Sequence, residues 1–293
     1  MAGRGDNRMA KDFKDLNDAQ PLNPKHVLVV DSLNLGFRWK HSGATEFADN
    51  YIDTVKSLAR SYKCGSVIIT ADWGASSYRK ELLPTYKGNR EELRAKQTDK
   101  ERDDFQAFLT EYNNTLMQLT AEGFPVLKYA GVEADDIAAF ICKDKNYFGI
   151  EKIWNISSDR DWDLMCTEDV SRFSYVTRKE TTFENWYESY EFPVEDYITF
   201  KCLTGDKGDN IPGINGIGPK RATTIMNTYG TVFDIYENCP LPGKYKYIQE
   251  LNHNYETLLL NVELMDLISY CEEAIGAENI KDISQKIREY MGR

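Results

Sequence analysis

Four short apolar runs, each followed by an acidic residue, constrain the fold of this 293-residue sequence more than any other feature. The runs cover residues 26–30, 66–71, 124–130 and 152–158 and lead into Asp31, Asp72, Glu133 and Asp159. Between them, apolar residues recur at helical spacing over residues 47–62, about 104–121 and 134–143. Continuous apolar runs that alternate with helices predict an α/β fold with a mostly parallel central sheet flanked by helices.

The acidic residues near the run ends are predicted to converge, because the carboxyl ends of parallel strands share one edge of a sheet, where ligands bind. The converging set is Asp31, Asp72, Glu133, Asp135, Asp136, Asp159 and Asp161. Any one of them can instead cap the following helix, but caps are usually shared with Ser, Thr and Asn, so four acidic run ends favour a common site. Carboxylates without histidine or cysteine suit Mg²⁺ or Mn²⁺. Asp163 lies further past its strand and is predicted to cap a turn or to face solvent.

The net charge of −11 argues against a nucleic-acid partner, but the charges are unevenly distributed. Between residues 79 and 102 basic residues outnumber acidic ones, and the lack of apolar periodicity makes the segment poorly suited to packing on a core. Charge composition alone favours a solvated insertion. The alternative is a basic flap above the acidic site, suited to an anionic polymer, in which Tyr86 beside Lys87 provides a ring for a base to stack on.

From Pro193 onward the sequence is typical of helices and turns, after an aromatic and acidic connector over residues 181–192. A helix is predicted over residues 194–204, and the glycine-flanked segment after it carries Asp206 and Asp209. The next loop contains Gly216, Gly218, Pro219, Lys220 and Arg221. Proline suits the first turn of a helix, and exposed N–H groups beside two cations make an anion site, so this loop is predicted to contact phosphate.

Composition argues against several other classes of protein. The six cysteines are widely spaced and only three histidines occur, so a zinc site, a disulfide framework and histidine-based catalysis are not indicated. No apolar run approaches the length of a membrane span, and the first residues lack the order of a signal peptide, so an intracellular protein without membrane attachment is expected. Residues 1–25 are polar and are predicted to form a disordered tail.

Six motifs resemble, in order and spacing, the 5′-nuclease family of flap endonucleases and 5′-to-3′ exonucleases. They are Val-Asp-Ser-Leu-Asn-Leu at 30–35, Tyr-Lys-Gly-Asn-Arg at 86–90, Gly-Val-Glu-Ala-Asp-Asp at 131–136, Ser-Ser-Asp-Arg-Asp at 157–161, Gly-Asp-Lys-Gly-Asp-Asn at 205–210 and Gly-Ile-Gly-Pro-Lys at 216–220. The free-standing enzymes of large tailed bacteriophages look closest, because no polymerase is attached. The resemblance implies a PIN-like nuclease domain over residues 26–190, with a basic helical arch inserted at about 80–118, and a helical, helix-turn-helix-type duplex-binding region over 191–293.

The resemblance also implies a role for each matching residue. The acids around a first metal ion are Asp31, Asp72, Glu133, Asp135 and Asp136, and those around a second are Asp159, Asp161, Asp206 and Asp209. The catalytic residues are Lys87, Arg90, Asp31, Asp72, Glu133, Asp135 and Asp159, with Lys87 as the arch lysine and Arg90 steering the phosphate. The DNA contacts are Arg38, Tyr86, Lys87, Arg90, Gly216, Gly218, Lys220 and Arg221. Within residues 213–221, family members hold a K⁺ ion through loop carbonyls.

The implied function is hydrolysis of phosphodiester bonds at 5′ flaps and ends of branched or nicked DNA by two Mg²⁺ or Mn²⁺ ions. The resemblance further implies that the protein removes flaps or RNA primers in phage DNA replication. It would act as a monomer in the cytoplasm of a bacterial host, with replication proteins as possible partners. Three alternatives stay open: a catalytically silent junction-binding protein, a compact toxin-type ribonuclease and a small-molecule phosphotransferase. Intact acidic positions count against the first, the basic insertion against the second, and the lack of a Gly-rich phosphate loop after the first run against the third.

Overall fold

The computed structural model describes residues 21–292, and six strands form its main sheet. They are β1 (Asn23–Asp31), β2 (Cys64–Ala71), β3 (Val126–Lys128), β4 (Lys152–Ile156), β5 (Val170–Ser174) and β6 (Lys179–Thr181). Their order is β3-β2-β1-β4-β5-β6, and every neighbouring pair is parallel except β5 with β6. The mostly parallel sheet predicted from the sequence is confirmed.

Helices cover both faces of this sheet and make up most of the chain beyond it. The first six are α1 (Ser32–Ser42), α2 (Ala48–Ser61), α3 (Ser77–Leu82), α4 (Gly88–Ala95), α5 (Asp99–Ala121) and α6 (Ala134–Lys143). The later ones are α7 (Tyr197–Thr204), α8 (Pro219–Tyr229), α9 (Val232–Asn238), α10 (Lys246–Asn254), α11 (Thr257–Met265), α12 (Leu267–Ile275) and α13 (Ala277–Met291). A short antiparallel pair, β7 (Gly205–Asp206) and β8 (Ile211–Pro212), follows α7. Within residues 21–292 no helix is both long and apolar enough to cross a membrane.

The central strand β1 is buried on both faces, as its continuous apolar run predicted. Val27 and Val29 face a core shared with α6, α12 and α13, whereas Leu28 and Val30 face a core shared with α1, α2 and α5. A third core, formed by α7 to α11, lies apart from the sheet. The last two helices therefore return from the helical region and cover one face of the sheet.

The start of β1 corrects the boundary of the predicted tail. Residues 1–20 lie outside the described part of the chain, but Asn23 to Lys25 belong to β1. The backbone N–H of Asn23 donates to the carbonyl of Lys63 at 3.1 Å, and Ser66 Oγ donates to the carbonyl of Pro24 at 2.7 Å. These contacts with β2 and the turn before it order the residues that composition alone assigned to the tail.

The basic segment is helical, and we call residues 77–102, which include α3, α4 and the start of α5, the arch. α3, α4 and the start of α5 cover most of it, and α5 begins at Asp99 rather than near residue 104 because Thr98 and Glu101 form a capping box. Arg79 and Tyr86 are each 2% exposed. The prediction that this segment is poorly suited to packing on a core is therefore wrong at these two positions, whose side chains are buried.

Asp163 is buried and ion-paired, so the prediction that it caps a turn or faces solvent is wrong. The carboxylate is 1% exposed and accepts from Arg172 Nε at 2.5 Å and from a terminal guanidinium nitrogen at 2.9 Å. Tyr190 Oη donates to the same carboxylate at 2.5 Å. This pair joins the turn after β4 to β5 and to the connector that leads into the helical region.

We expect Asp163→Ala to destabilise the fold by about 3–5 kcal/mol, because it leaves the Arg172 guanidinium buried without a counter-charge. Denaturant unfolding followed by circular dichroism measures the change. Glu278→Ala, which removes an exposed partner of Lys281, is the control and should change stability little. Equal effects of the two substitutions would contradict a structural role for the buried pair.

Candidate active site

Three adjacent strands bring the predicted acidic residues to one edge of the sheet. Asp31 is the last residue of β1, Asp72 follows β2, and Asp159 lies beyond β4. The chain after β3 returns to this edge at Glu133, the N-cap residue of α6. Asp72 Oδ1 accepts from the backbone N–H of Ala134 at 2.8 Å, which ties the end of β2 to the start of α6.

Burial and mutual repulsion disfavour the charged forms of several of these acids. Burial, and then Asp72, raise the pKa of Asp31 to about 8. Burial, followed by Asp136 and Glu133, raises the pKa of Asp135 well above its ordinary value, and burial also raises the pKa of Asp72. Carboxylate oxygens of Glu133, Asp135 and Asp136 lie within 4.8 Å of one another. The edge therefore gathers more acidic groups than the protein's own cations can keep ionised, so several of them favour the protonated form.

Glu133 is the acid that the arch neutralises most directly. Its Oε1 accepts from Lys87 Nζ at 2.6 Å and its Oε2 from Tyr86 Oη at 2.8 Å, while an Arg79 nitrogen lies 3.4 Å from Oε2. Burial opposes ionisation of Glu133, but Lys87 and Arg79 outweigh burial and lower the pKa of Glu133. Glu133 is therefore a carboxylate at neutral pH.

Asp136 is engaged by a buried arginine. Arg79 donates to both carboxylate oxygens of Asp136, at 2.8 and 2.7 Å, and its Nε donates to the carbonyl of Leu264 at 2.8 Å. One cation thus joins α3, α6 and α11. A role of Asp136 as a metal ligand stays a prediction, since its oxygens lie in the carboxylate cluster but are already bonded to Arg79.

A buried lysine on α7 joins two acids of the second group. Lys201 Nζ donates to Asp161 and, at 3.0 Å, to Asp206, whose Oδ1 also accepts from the backbone N–H groups of Gly208 (2.7 Å) and Asp209 (3.1 Å). Burial raises the pKa of Asp161 to about 6, with Lys201 opposing it. Burial also acts on Asp206, but Lys201 and the N–H donors lower the pKa of Asp206.

Asp209 connects this second group to the arch. Its Oδ1 accepts from Arg90 at 2.7 Å, its Oδ2 accepts from Tyr86 Oη at 3.1 Å, and Lys87 Nζ lies 3.5 Å away. The backbone N–H of Lys87 donates to the carbonyl of Asp209 at 2.9 Å, and Lys87 has a φ of 54°. A positive φ is uncommon for lysine, so this backbone contact helps hold the turn that places Lys87 between Glu133 and Asp209.

Tyr86 does not offer its ring for base stacking, so that prediction is wrong. The side chain is 2% exposed and lies in the core of the helical region. Its hydroxyl bonds Glu133 and Asp209, as described above. Tyr86 therefore does not contact DNA through its ring. Its hydroxyl instead positions the carboxylates of Glu133 and Asp209 from within the protein.

An opening of about 730 Å³ lies between the arch and the acidic edge. The charged residues that line it are Lys80, Lys87, Arg90, Glu91, Arg94, Lys128, Asp72 and Glu133. An anionic chain in this opening meets cations on the arch and carboxylates at the strand ends. The arrangement favours a basic flap above an acidic site over a solvated insertion.

Arg38, a predicted phosphate contact, lies outside the arch. It donates to Tyr175 Oη at 2.5 Å, and its guanidinium lies 4.6 Å from the centre of the Tyr175 ring. Arg178 lies over the same ring at 3.9 Å. Ser158, the residue before Asp159, accepts from the backbone N–H of Val176, so this group of arginines is connected to the acidic edge.

The predicted phosphate-binding loop begins α8, with Gly218 as the N-cap residue and Pro219 as the first helical residue. Lys220 is exposed. Arg221 turns back to donate to the carbonyl of Gly216 at 2.5 Å, and its guanidinium lies 4.6 Å from the Tyr247 ring centre. The structure thus places the loop on the surface of the helical region, with no direct contact to the acidic edge among the bonds of residues 21–292.

Arg79 and Lys201 are the site residues that sequence reasoning missed. Lys201 carried a usable signal, because a lysine within an apolar helix is buried only when carboxylates pair with it. Arg79 carried none, since nothing local distinguishes it from its exposed neighbour Lys80. Its partners on α6 and α11 are brought to it only by the tertiary fold.

Comparisons with known proteins agree with this geometry. Residues 26–191 match the model of the 5′-3′ exonuclease N-terminal resolvase-like domain, and residues 192–287 match that of the 5′-3′ exonuclease C-terminal SAM fold. The flap endonuclease of Escherichia phage T5 is 43% identical over 267 residues, which cover 90% of this chain and 91% of that protein. DNA polymerase I of Deinococcus radiodurans is 28% identical over 251 residues, but the chain spans only 24% of its length.

Solved structures give the same result. The phage T5 flap endonuclease in a pseudo-enzyme–product complex with DNA and metal ions is 41% identical with a TM-score of 0.87, and the match covers 92% of this chain and 100% of that one. The zinc-bound T5 5′-exonuclease is 41% identical with a TM-score of 0.86, covering 91% and 99%. The fold and the resemblance stated from the six motifs are confirmed. The chain belongs to the 5′-3′ exonuclease family.

Proposed function

We propose that this chain is a metal-dependent, structure-specific 5′ nuclease that hydrolyses phosphodiester bonds at 5′ flaps and ends of branched or nicked DNA. One observation carries the proposal: carboxylates that form no ion pair within residues 21–292, of which Asp31 is buried and Asp72 and Asp135 are partly buried, lie at the strand edge beside an opening lined by arch cations. A divalent ion needs carboxylates that no protein cation neutralises, and a polyanion needs an opening lined by cations.

The acids divide into two sets by their partners. Within residues 21–292, ion pairs reach Glu133, Asp136, Asp161, Asp206 and Asp209. None reaches Asp31, Asp72, Asp135 or Asp159, and the pKa of each of the first three is raised, with burial as the largest cause. Oxygen ligands that repel one another and lack a cation fit a hard divalent ion, and we propose Mg²⁺ or Mn²⁺.

On this proposal Asp31, Asp72, Glu133 and Asp135 hold a first ion and Asp159, Asp161, Asp206 and Asp209 hold a second, with Asp136 retained by Arg79. Two bound ions supply an activated water and neutralise the scissile phosphate and the leaving oxygen. The Tyr86 hydroxyl lies 2.8 Å from a Glu133 oxygen and 3.1 Å from an Asp209 oxygen, so its single proton is shared between the two carboxylates and helps to orient both.

Lys87 is suited to stabilise charge on the phosphate rather than to remove a proton. Burial opposes its charge, but Glu133 and then Asp209 outweigh burial and raise the pKa of Lys87 above its ordinary value. Lys87 is therefore an ammonium throughout the neutral range, and an ammonium cannot accept a proton. Its side chain lines the opening together with Arg90, so both cations can contact phosphate oxygens there.

The further parts of the proposal rest on the family resemblance and on the relatives. Lys220 and Arg221 contact the phosphate backbone of the duplex, and the carbonyls of residues 213–221 hold a K⁺ ion. The glycine-rich turn before α8 supports both assignments, because it leaves backbone groups at the start of the helix open to a ligand. The protein acts as a monomer in the cytoplasm of a bacterial host, in phage replication and beside replication proteins. A catalytically silent binder is disfavoured, because cation-free carboxylates at the edge serve no purpose in backbone contact alone.

We expect the purified protein with Mg²⁺ to cleave a labelled 5′-flap DNA and to leave a 5′ phosphate on the product. Product lengths on gels from flap, nicked and blunt substrates, with and without a chelator, measure the activity. A flap that stays intact but is shifted in a binding gel would identify a silent junction-binding protein instead.

We expect Lys87→Ala to slow single-turnover flap cleavage by roughly 10²–10³-fold, the usual cost of losing one donor to developing charge, while binding weakens far less. Arg94→Ala is the matched control, since Arg94 is an exposed cation of the same opening that forms no ion pair with the site acids within residues 21–292. Arg94→Ala should affect binding more than the rate of the bound complex. Equal losses of rate and binding for Lys87→Ala would assign Lys87 to simple phosphate contact.

Metal binding should depend on pH in a defined direction. The pKa of Asp31, about 8 in the folded chain, lies above its unfolded value of about 3.9, so its contribution to stability is lost as pH rises through 8. Protons and divalent ions compete for these carboxylates. We therefore expect Mg²⁺ to raise the melting temperature more at pH 8.5 than at pH 6, as measured by calorimetry.

Asp31→Asn is the control for this prediction, because it removes the charge and keeps an oxygen acceptor. The metal-free variant should lose less stability than the unsubstituted protein between pH 6 and pH 8.5, and Mg²⁺ should stabilise it less. An Mg²⁺ response that is equal at both pH values would contradict the assignment of buried, proton-binding carboxylates to the metal site.

A further inference from the structure

The opening between the arch and the acidic edge has apolar as well as charged lining. Trp73, Phe105 and Leu109 contribute to it, together with the arch cations. Phe105 and Leu109 are four residues apart on α5 and share one helix face. An opening that presents both cations and rings matches the two faces of a single-stranded nucleic acid, which are phosphates and bases.

Trp73 is the ring of this lining that is open to contact. It is 58% exposed, although it directly follows Asp72. Within residues 21–292 no ring or cation stacks on Trp73, whereas Lys40 Nζ already lies 4.5 Å from the centre of the Phe105 ring and Tyr112 is buried. A large, uncovered indole at the mouth of a charged opening needs an explanation.

The backbone at Trp73 is fixed on both sides. Its N–H donates to the carbonyl of Val132 at 3.3 Å, and its carbonyl accepts from the N–H of Gly131 at 2.9 Å. Gly131 has a φ of 71°, and a Cβ there would collide with the side chain of Ser77 at the start of the arch. The backbone of Trp73 is therefore held in place at the acidic edge, and the indole it carries lines the same opening as Asp72, Glu133 and the arch cations.

We infer that Trp73 is a stacking platform for one base of the single-stranded 5′ segment, next to the phosphate that is cleaved. The inference rests on the proposed function and deepens it, because it assigns the base contact that Tyr86 cannot make. Trp73 lines the same opening as Asp72 and Glu133, so a base on its ring lies near these carboxylates. The arch cations then face the phosphates of the same segment, and Trp73 acts as a positioning residue.

Cleavage of flap substrates that carry one abasic nucleotide at each position around the cut tests this inference. On normal DNA, Trp73→Ala should lower single-turnover cleavage or binding by roughly five- to 150-fold, the range for losing one stacked base. At one abasic position this penalty should vanish, since the base that stacks is already absent. Trp73→Phe should restore most of the loss. A penalty that is the same at every position, or no penalty, would overturn the inference.

Tyr147→Ala is the matched control, because Tyr147 is 62% exposed and follows α6, on the side of the sheet away from the strand ends. This variant should cleave every substrate as the unsubstituted protein does. A uniform loss in both variants would indicate an effect on folding, which unfolding curves measure directly, and would count against a stacking role.

Tryptophan fluorescence separates this inference from the proposed function. Of the five tryptophans, Trp39, Trp162 and Trp186 are buried and Trp154 is stacked 4.0 Å from Tyr62, so Trp73 is the one that bases can reach. A single-stranded oligonucleotide in chelator should quench the emission, and Trp73→Phe should abolish the quenching. Quenching without cleavage would remove the nuclease proposal but keep the base contact. Cleavage without quenching or an abasic effect would remove the contact alone.

Discussion

Repulsion among carboxylates at one edge of the sheet is the constraint on which the rest of this structure depends. Two like charges 4 Å apart cost about 4 kcal/mol at an effective dielectric constant of 20, and the edge gathers nine acids. Cations from separate elements offset part of this repulsion by forming ion pairs with the carboxylates. They are Arg79, Lys87 and Arg90 from the arch and Lys201 from α7. These ion pairs also join the sheet, the arch and the helical region, so the electrostatics of the site hold the parts of the fold together.

The spacing of apolar residues was enough to predict those helices and strands in which the spacing is regular. α6 begins and ends where the spacing placed it, at Ala134 and Lys143, because its apolar stripe is continuous and its neighbours break the pattern. The convergence of Asp31, Asp72 and Glu133 followed from topology, since parallel strands end at one edge. The reach of β1 back to Asn23 was not predictable, because its pairing partners belong to β2 and nothing in the polar residues themselves indicates a strand.

The roles of individual polar residues were least accessible from the sequence. Asp163 was predicted to cap a turn or to face solvent, and Tyr86 to stack on a base. Both are instead buried against partners from other segments of the chain. The same limit applies to the acids. Residue type predicted which carboxylates gather, but not which are neutralised by the protein, because Arg79 reaches Asp136 only once α3, α6 and α11 have packed.

The pairing of arch cations with site carboxylates couples two kinds of binding. Lys87 and Arg90 compensate Glu133 and Asp209 in the protein alone, and both side chains line the opening in which we propose that phosphate binds. A phosphate that pairs with Lys87 and Arg90 removes the counter-charges of Glu133 and Asp209. The affinity of these two carboxylates for a divalent ion then rises. By thermodynamic linkage, a divalent ion that takes the carboxylates frees the cations for phosphate by the same free energy. If these residues bind metal and phosphate as proposed, the ion pairs that stabilise the protein alone make the binding of substrate and the binding of metal favour each other.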